Sequence, residues 1–194
     1  DIGHVKNVGK IHQINVSTSR YNLNNSDLLE EVQEHIDSKN IITFKKYKEQ
    51  FEDASECHFG NLEGTNELTK KDIAVIGTTH INSYVYGLYA AALGVKVKAG
   101  EFNKLQNMVV ERNGIRFWFY TFKNENLRKI QMYCIERELI QAIGRARAIR
   151  NDCYVFLFSN YILPVEAYPS KELAFGLMDE TQIKDSEPLQ LLNK

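Results

Sequence analysis

Residues 73–77 read Ile-Ala-Val-Ile-Gly, and this short run constrains the fold more than any other stretch of the chain. Four consecutive apolar side chains leave no wet face. A half-buried strand alternates, whereas a strand that is apolar at every position is buried on both faces, as in a parallel sheet. Tyr154-Val155-Phe156-Leu157-Phe158 has the same character, and Asn40-Ile41-Ile42-Thr43-Phe44 and Cys57-His58-Phe59 read as shorter buried strands. Residues 9–16, Gly-Lys-Ile-His-Gln-Ile-Asn-Val, alternate and supply a further strand.

Helical signals fall between these strands. Asn25-Ser26-Asp27 offers caps for a helix carrying Leu28, Leu29, Val32 and Ile36. Lys45 to Asp53 reads as a second helix, and Asn82 to Leu93 as a third. The longest runs from Asn124 to about Arg145, with Leu127, Ile130, Cys134, Leu139, Ala142 and Ala146 on its core stripe. Before it, two β-rich runs over residues 105–122 flank Asn113-Gly114, the strongest short hairpin signal. Strands alternating with helices predict an α/β, three-layer domain with a mainly parallel central sheet and an added β-hairpin at its edge or projecting from it. That domain is expected over residues 1–162. After Pro164 and Pro169 the pattern weakens. Residues 163–194 read as a C-terminal extension or linker, with a helix over Ser170 to Met178 and a polar, acidic end.

Composition narrows the function. At 194 residues and 43% hydrophobic content, the chain is one domain, or one with an appendage, around an ordinary core. A net charge of −1 excludes a globally basic nucleic-acid binder, so any such contact is expected from a local patch. Cys57, Cys134 and Cys153 lack Cys-x-x-Cys spacing, and the five histidines form no metal-ligand pattern. This argues against a disulfide framework or a zinc site and fits a reducing cytoplasm. No apolar run approaches the roughly 20 residues of a membrane helix, and no signal-peptide pattern opens the chain. A start at Asp1 rather than methionine fits a fragment of a longer protein.

The chemistry concentrates in residues 139–150, Leu-Ile-Gln-Ala-Ile-Gly-Arg-Ala-Arg-Ala-Ile-Arg. Gln141, Gly144, Arg145, Arg147 and Arg150 crowd together where a helix closes. Arginine keeps its charge, and its planar fork matches phosphate oxygens, so the group suggests a site that holds a polyphosphate. The same arginines could instead satisfy the last carbonyls of the helix.

With two earlier segments, this stretch resembles the second RecA-like domain of superfamily 2 nucleic-acid helicases, over roughly residues 10–160. Ile41-Ile42-Thr43-Phe44-Lys45 resembles motif IV. Gly60-Asn61-Leu62-Glu63-Gly64-Thr65-Asn66 resembles motif V in the Glu-Gly-x-Asp form of iron–sulfur-type DNA helicases, with Asn66 in place of the aspartate. Ile76-Gly77-Thr78-Thr79-His80 follows where those helicases carry Gly-x-Pro. Gln141 to Arg150 resembles motif VI, Gln-x-x-Gly-Arg-x-x-Arg, with Ala148 at the second arginine position.

Such helicases hydrolyse ATP between two domains. The first holds the phosphate loop and the magnesium carboxylates, and the second supplies arginines to the transferring phosphoryl group. This chain has no Gly-x-x-x-x-Gly-Lys-Ser/Thr and no Asp-Glu pair at a strand end. It therefore resembles the second half only. The resemblance implies that ATP and Mg2+ are held by an N-terminal ATPase domain of the same protein, and that the isolated chain is inactive. It implies catalytic roles for Gln141, Arg145, Arg147 and Arg150, with Arg145 the first finger and one of the other two the second. It implies nucleotide binding by Gly64, Asn66 and Gly144, and nucleic-acid binding by Thr43, Lys45, Lys46, Asn61 and Thr78.

Each assignment has a plainer counterpart. On an unbroken helix Arg147 would point roughly 200° away from Arg145, so it joins the site only if the helix ends soon after Arg145. The lysines serve equally as a solvated helix face, and Gly60 and Asn66 as turn formers. His80 reads as a loop residue, Trp118 as part of a hairpin core, and Tyr84, Tyr86 and Tyr89 as packing. Nucleic acid, single-stranded or duplex and with DNA favoured over RNA, would be held through its phosphates, weakly and without sequence preference. Two other readings stand beside the motor. One is a non-catalytic RecA-like module that binds nucleic acid or protein. The other is an α/β nucleotide-binding enzyme of another kind, for which Ser17-Thr18-Ser19 lacks the glycines of a phosphate loop.

Overall fold

The computed structural model describes residues 8–51, 53–63, 66–98, 100–112, 115–163 and 168–170. In chain order the elements are β1 (Lys10–Ile14), α1 (Arg20–Leu23), α2 (Leu28–Gln33), β2 (Ile41–Ile42), α3 (Lys45–Lys48), β3 (Ile73–Ile76) and α4 (Ser83–Ala92). There follow β4 (Leu105–Arg112), β5 (Ile115–Phe122), α5 (Glu125–Ile143), β6 (Tyr154–Phe158) and β7 (Tyr168–Ser170).

The apolar runs become the sheet. Five strands pair in the order β2-β3-β6-β1-β7, and every neighbouring pair is parallel. β6 lies at the centre with β3 beside it, in register from Ile73 opposite Val155 to Ile76 opposite Phe158, and no side chain of β3 reaches solvent. The chain moves from β1 to β2 in one direction along the sheet and from β3 to β6 in the other. The right-handed rule for such crossovers puts α1 and α2 on one face and α4 and α5 on the opposite face. The domain is α/β, with β4 and β5 forming a separate antiparallel pair. The glycine that ends the β3 run has a packing reason. Gly77 has φ 151°, and a Cβ there would stand 2.6 Å from the Phe59 ring and 3.0 Å from the Phe44 ring. Two aromatic rings thus close over the end of the sheet where only a hydrogen fits.

Several expectations need adjustment. Cys57–Phe59 is not a strand. Its backbone makes one isolated bridge between His58 and Asn61 and one bond from Phe59 N to Thr43 O, at 3.0 Å. The chain turns back at Gly60, φ 86°, before a ladder can form. The helix expected over Lys45 to Asp53 stops at Lys48, where tight turn bonds from Gln50 to Tyr47 and from Phe51 to Lys48 bury the Phe51 ring. The long helix stops at Ile143, two residues early, and one 3-10 turn follows over Gly144–Ala146. The fifth strand, β7, comes from the segment read as an extension. The Asn113-Gly114 turn and the helix expected from Ser170 to Met178, apart from Ser170 itself, lie outside the described residues.

The hairpin docks over the ends of β3 and β6. Phe117 and Phe119 each pack edge-on against Tyr161, with ring centroids 5.9 and 5.5 Å away, and His80 stacks on Phe119 at 5.3 Å. Arg112 pairs with Glu136 of α5 at 3.0 Å, and the same carboxylate oxygen accepts from the Tyr161 hydroxyl at 2.8 Å. Trp118, expected in the hairpin core, is 68% exposed instead. Strand alternation explains this: Phe117 and Phe119 take the inner face, so Trp118 must take the outer one.

Candidate functional site

The arginine-bearing segment is shaped by how α5 ends. Asn124 caps the start, its side-chain oxygen accepting from Asn126 N and Leu127 N. After the 3-10 turn, Arg147 adopts a left-handed conformation, φ 54° and ψ 41°. Glycine usually fills such a position, because a Cβ is strained there. The turn is held on both sides. Arg147 N donates to Gly144 O at 3.1 Å, and Arg147 O accepts from Arg150 N, Asn151 N and Asn151 Nδ2 at 2.9, 3.1 and 3.0 Å. Gly9, just before β1, donates to Ala148 O at 2.8 Å, so the turn is bonded directly to the start of the sheet.

The segment that resembles motif V runs alongside. Lys70 N donates to Ala146 O at 3.2 Å, and Arg147 Nη2 donates to Asn66 Oδ1. Arg145 is half-buried and Arg147 and Arg150 are exposed. Burial and Glu67 push the nearby Cys57 thiol up, and the Arg145 guanidinium pulls it down. Gln141 and Glu138, one turn apart on α5, line a small polar depression with Gly60, Asn61 and Glu63. On the other side of the helix end, Arg147 and Arg150 border an apolar depression floored by Ile11, Ile140, Ile143 and Ala148. The structure therefore brings Arg147 to Asn66 and gathers Gly144, Arg147 and Arg150 at one depression, while Gln141 opens on the other, beside Gly60, Asn61 and Glu63. Gly64 lies outside the described residues. Chemically, Arg147 and Asn66 offer a guanidinium and an amide side by side near the starts of the strands.

Of the residues proposed for nucleic acid, Thr43, Lys45, Lys46 and Thr78 follow the C-terminal ends of their strands, while Asn61 shares its depression with Gln141. Thr43 and Thr78 are buried and use their hydroxyls internally. Thr43 donates to Ile76 O at 2.9 Å. Thr78 meets the hydroxyls of Thr18 and Ser159 at 3.2 and 2.9 Å, and donates to Asn160 Oδ1 at 3.1 Å. Lys45 and Lys46 are exposed on α3, Lys45 opposite Glu49 at 3.9 Å and Lys46 donating to Asn24 Oδ1 at 3.0 Å. Asn61 donates its amide to Glu56 O at 3.2 Å. Phe59 N bonds Thr43 O after β2, and Asn66 bonds Arg147 beyond α5.

A polar hub escaped the sequence reading. Gln131 is fully buried on α5. Its Oε1 accepts from Thr121 Oγ1, and its Nε2 reaches Tyr120 O and His80 Nδ1, both at 3.2 Å. The amide nitrogen can only donate, so His80 Nδ1 accepts and the ring is neutral. Burial lowers the His80 pKa to about 4. His12, in the middle of β1, is lowered to about 4 by burial and by Lys10. A glutamine on an apolar stripe was the only sequence signal for this hub. Of the three tyrosines, Tyr86 is buried as expected, while Tyr84 and Tyr89 stand exposed on α4.

Among the described residues, no group of three or more His, Cys, Asp or Glu side chains is placed to hold a metal ion. No helix among them is long and apolar enough to cross a membrane. Comparison of the chain with protein families, with curated proteins and with solved structures finds no match.

Proposed function

We propose that this chain is the second, RecA-like motor domain of an ATP-dependent nucleic-acid helicase or translocase, with DNA the favoured track. ATP and its Mg2+ would be held by an N-terminal ATPase domain, and this chain would bring arginines to the phosphates. One observation carries the reading: Arg147 donates to Asn66 across 81 residues of sequence, so the segments resembling motifs V and VI meet. The backbone bond from Lys70 to Ala146 supports the same adjacency.

Ala148 fits this account. It stands where the family carries its second arginine, and it is buried, so an arginine there would meet the core. The left-handed turn instead leaves Arg147 exposed beside Asn66, which makes Arg147 the stronger candidate for the second finger. Arg145 and Arg147 would stabilise charge on the transferring phosphoryl group, and Gln141 would face the nucleotide from the helix.

The test uses the intact protein with its ATPase domain. Arg145→Ala should lower kcat by on the order of 10³ with little change in ATP binding. Turnover equal to the parent protein would remove the motor reading. It would favour the non-catalytic module, to which the asparagine at position 66 already lends some weight.

A further inference from the structure

The β4–β5 hairpin presents an aromatic face to solvent. Arg116, Trp118 and Tyr120 project from β5 on its outer side, opposite Glu111, Val109 and Asn107 of β4. Trp118 is 68% exposed, Tyr120 49% and Val109 39%. Contiguous exposed aromatic surface is unusual, because each ring forfeits the gain of leaving water. A loosely attached hairpin does not explain it. The inner face is fixed by the Phe117 and Phe119 contacts with Tyr161, by His80 on Phe119, by Thr121 on Gln131, and by the Arg112–Glu136 pair. One side of the hairpin is rigidly docked while the other holds two flat rings in the open.

We infer that this outer face is a stacking platform for single-stranded nucleic acid, with Trp118 and Tyr120 each receiving a base and Arg116 a phosphate. The choice of ligand rests on the nucleic-acid function proposed above, and charge supports it. Residues 104–123 carry Lys104, Arg112, Arg116 and Lys123 against the single acid Glu111, in a chain whose net charge is −1. Lys104, Arg116 and Lys123 are exposed, and Arg112 is spent on Glu136. Aromatic rings beside cations suit a ligand that pairs π faces with phosphates. Every base has a π face, so such a platform is indifferent to sequence, as a translocating motor requires. Positions two residues apart on a strand are about 6.8 Å apart, which gives each ring room for its own base. The platform also lies on the hairpin that covers the C-terminal ends of β3 and β6, away from the arginines.

Trp118 is the only tryptophan, so tryptophan emission, excited selectively over the ten tyrosines, reports this face alone. The experiment titrates the full chain at low salt with an oligothymidylate. It follows the anisotropy of a labelled strand and, with unlabelled strand, the tryptophan emission. Both signals are expected to follow one isotherm, with emission quenched as bases stack. Trp118→Ala and Tyr120→Ala should each weaken binding by about 5- to 150-fold, the range for losing one base stack. Both positions are exposed, so thermal unfolding should stay at the parent midpoint. If the strand binds but emission does not move, or both variants bind within twofold of the parent, the platform is overturned while the nucleic-acid reading stands. If no strand binds, both fall, and the aromatic face belongs to a protein contact.

Discussion

Arg147 carries two features that pull in opposite directions, and a pair of substitutions separates them. Its left-handed backbone favours glycine, whereas its side chain bonds Asn66. Arg147→Gly removes the guanidinium and relieves the strain, and Arg147→Ala removes the guanidinium and keeps it. The alanine variant should be the less stable by about 1 kcal/mol, read from denaturant midpoints. In the intact motor both should lose turnover alike if the guanidinium serves the phosphates. Recovery of turnover in the glycine variant alone would mean that only the turn matters. The sequence marked these arginines because charge and crowding are visible there. Helix periodicity alone pointed Arg147 away from Arg145, since nothing in the residues announces a left-handed arginine. Thr43 and Thr78 show the opposite case. Their position at strand ends was legible, but which way a hydroxyl turns depends on Ile76, Ser159 and Asn160, which arrive from other strands.

At the scale of elements, Gln131 joins α5, β5 and the segment after β3. Gln131→Leu keeps the volume and deletes the amide, leaving Thr121 Oγ1 and His80 Nδ1 without this partner. A buried group losing its partner costs about 1–3 kcal/mol, so the thermal midpoint should drop by several degrees. An unchanged midpoint would show that the hub is not structural. The same joint predicts a pH dependence. His80 and His12 are held near pKa 4 in the fold, against 6.5 in the unfolded chain. Below 6.5 the unfolded chain takes up protons that the fold refuses. Stability is therefore fully present above about pH 6.5 and declines as the pH falls towards 4. Urea unfolding at pH 7.5 and 5.5 should show the loss, and His80→Gln should reduce it. Equal stability at the two pH values in the parent chain would contradict burial of neutral histidines. The hairpin itself was legible from Asn113-Gly114 and its flanking runs. The assignment of Trp118 to a core was not, because alternation fixes only that Trp118 and Phe119 face opposite ways. Which face is inside is decided by Tyr161 and His80, remote in sequence.

For the whole molecule, the continuous apolar runs were enough to give a parallel sheet, and the strand order followed only from contacts no periodicity contains. The two ends of that sheet's strands define the last prediction. Arg147 and Asn66 lie by the starts of the strands and the aromatic hairpin over their C-terminal ends, and β3 joins the two, with Lys70 before it bonded to Ala146 and His80 after it stacked on Phe119. If nucleic acid at one end is to accelerate ATP turnover at the other, the chain from Asn66 through β3 to His80 is a short covalent route between them. Asn66→Ala cuts the route at its nucleotide end without touching the hairpin. In the intact protein, stimulation by saturating single strand should fall roughly fivefold or more beyond whatever loss Asn66→Ala causes in basal ATPase, the lower end of typical coupling between sites. Asn66→Asp restores an acceptor and adds charge opposite Arg147, so stimulation should survive in it. Strand affinity, measured by anisotropy, should match the parent in both variants. Stimulation undiminished in the alanine variant would show that coupling does not pass through this contact, even if Arg145 and the hairpin both prove functional.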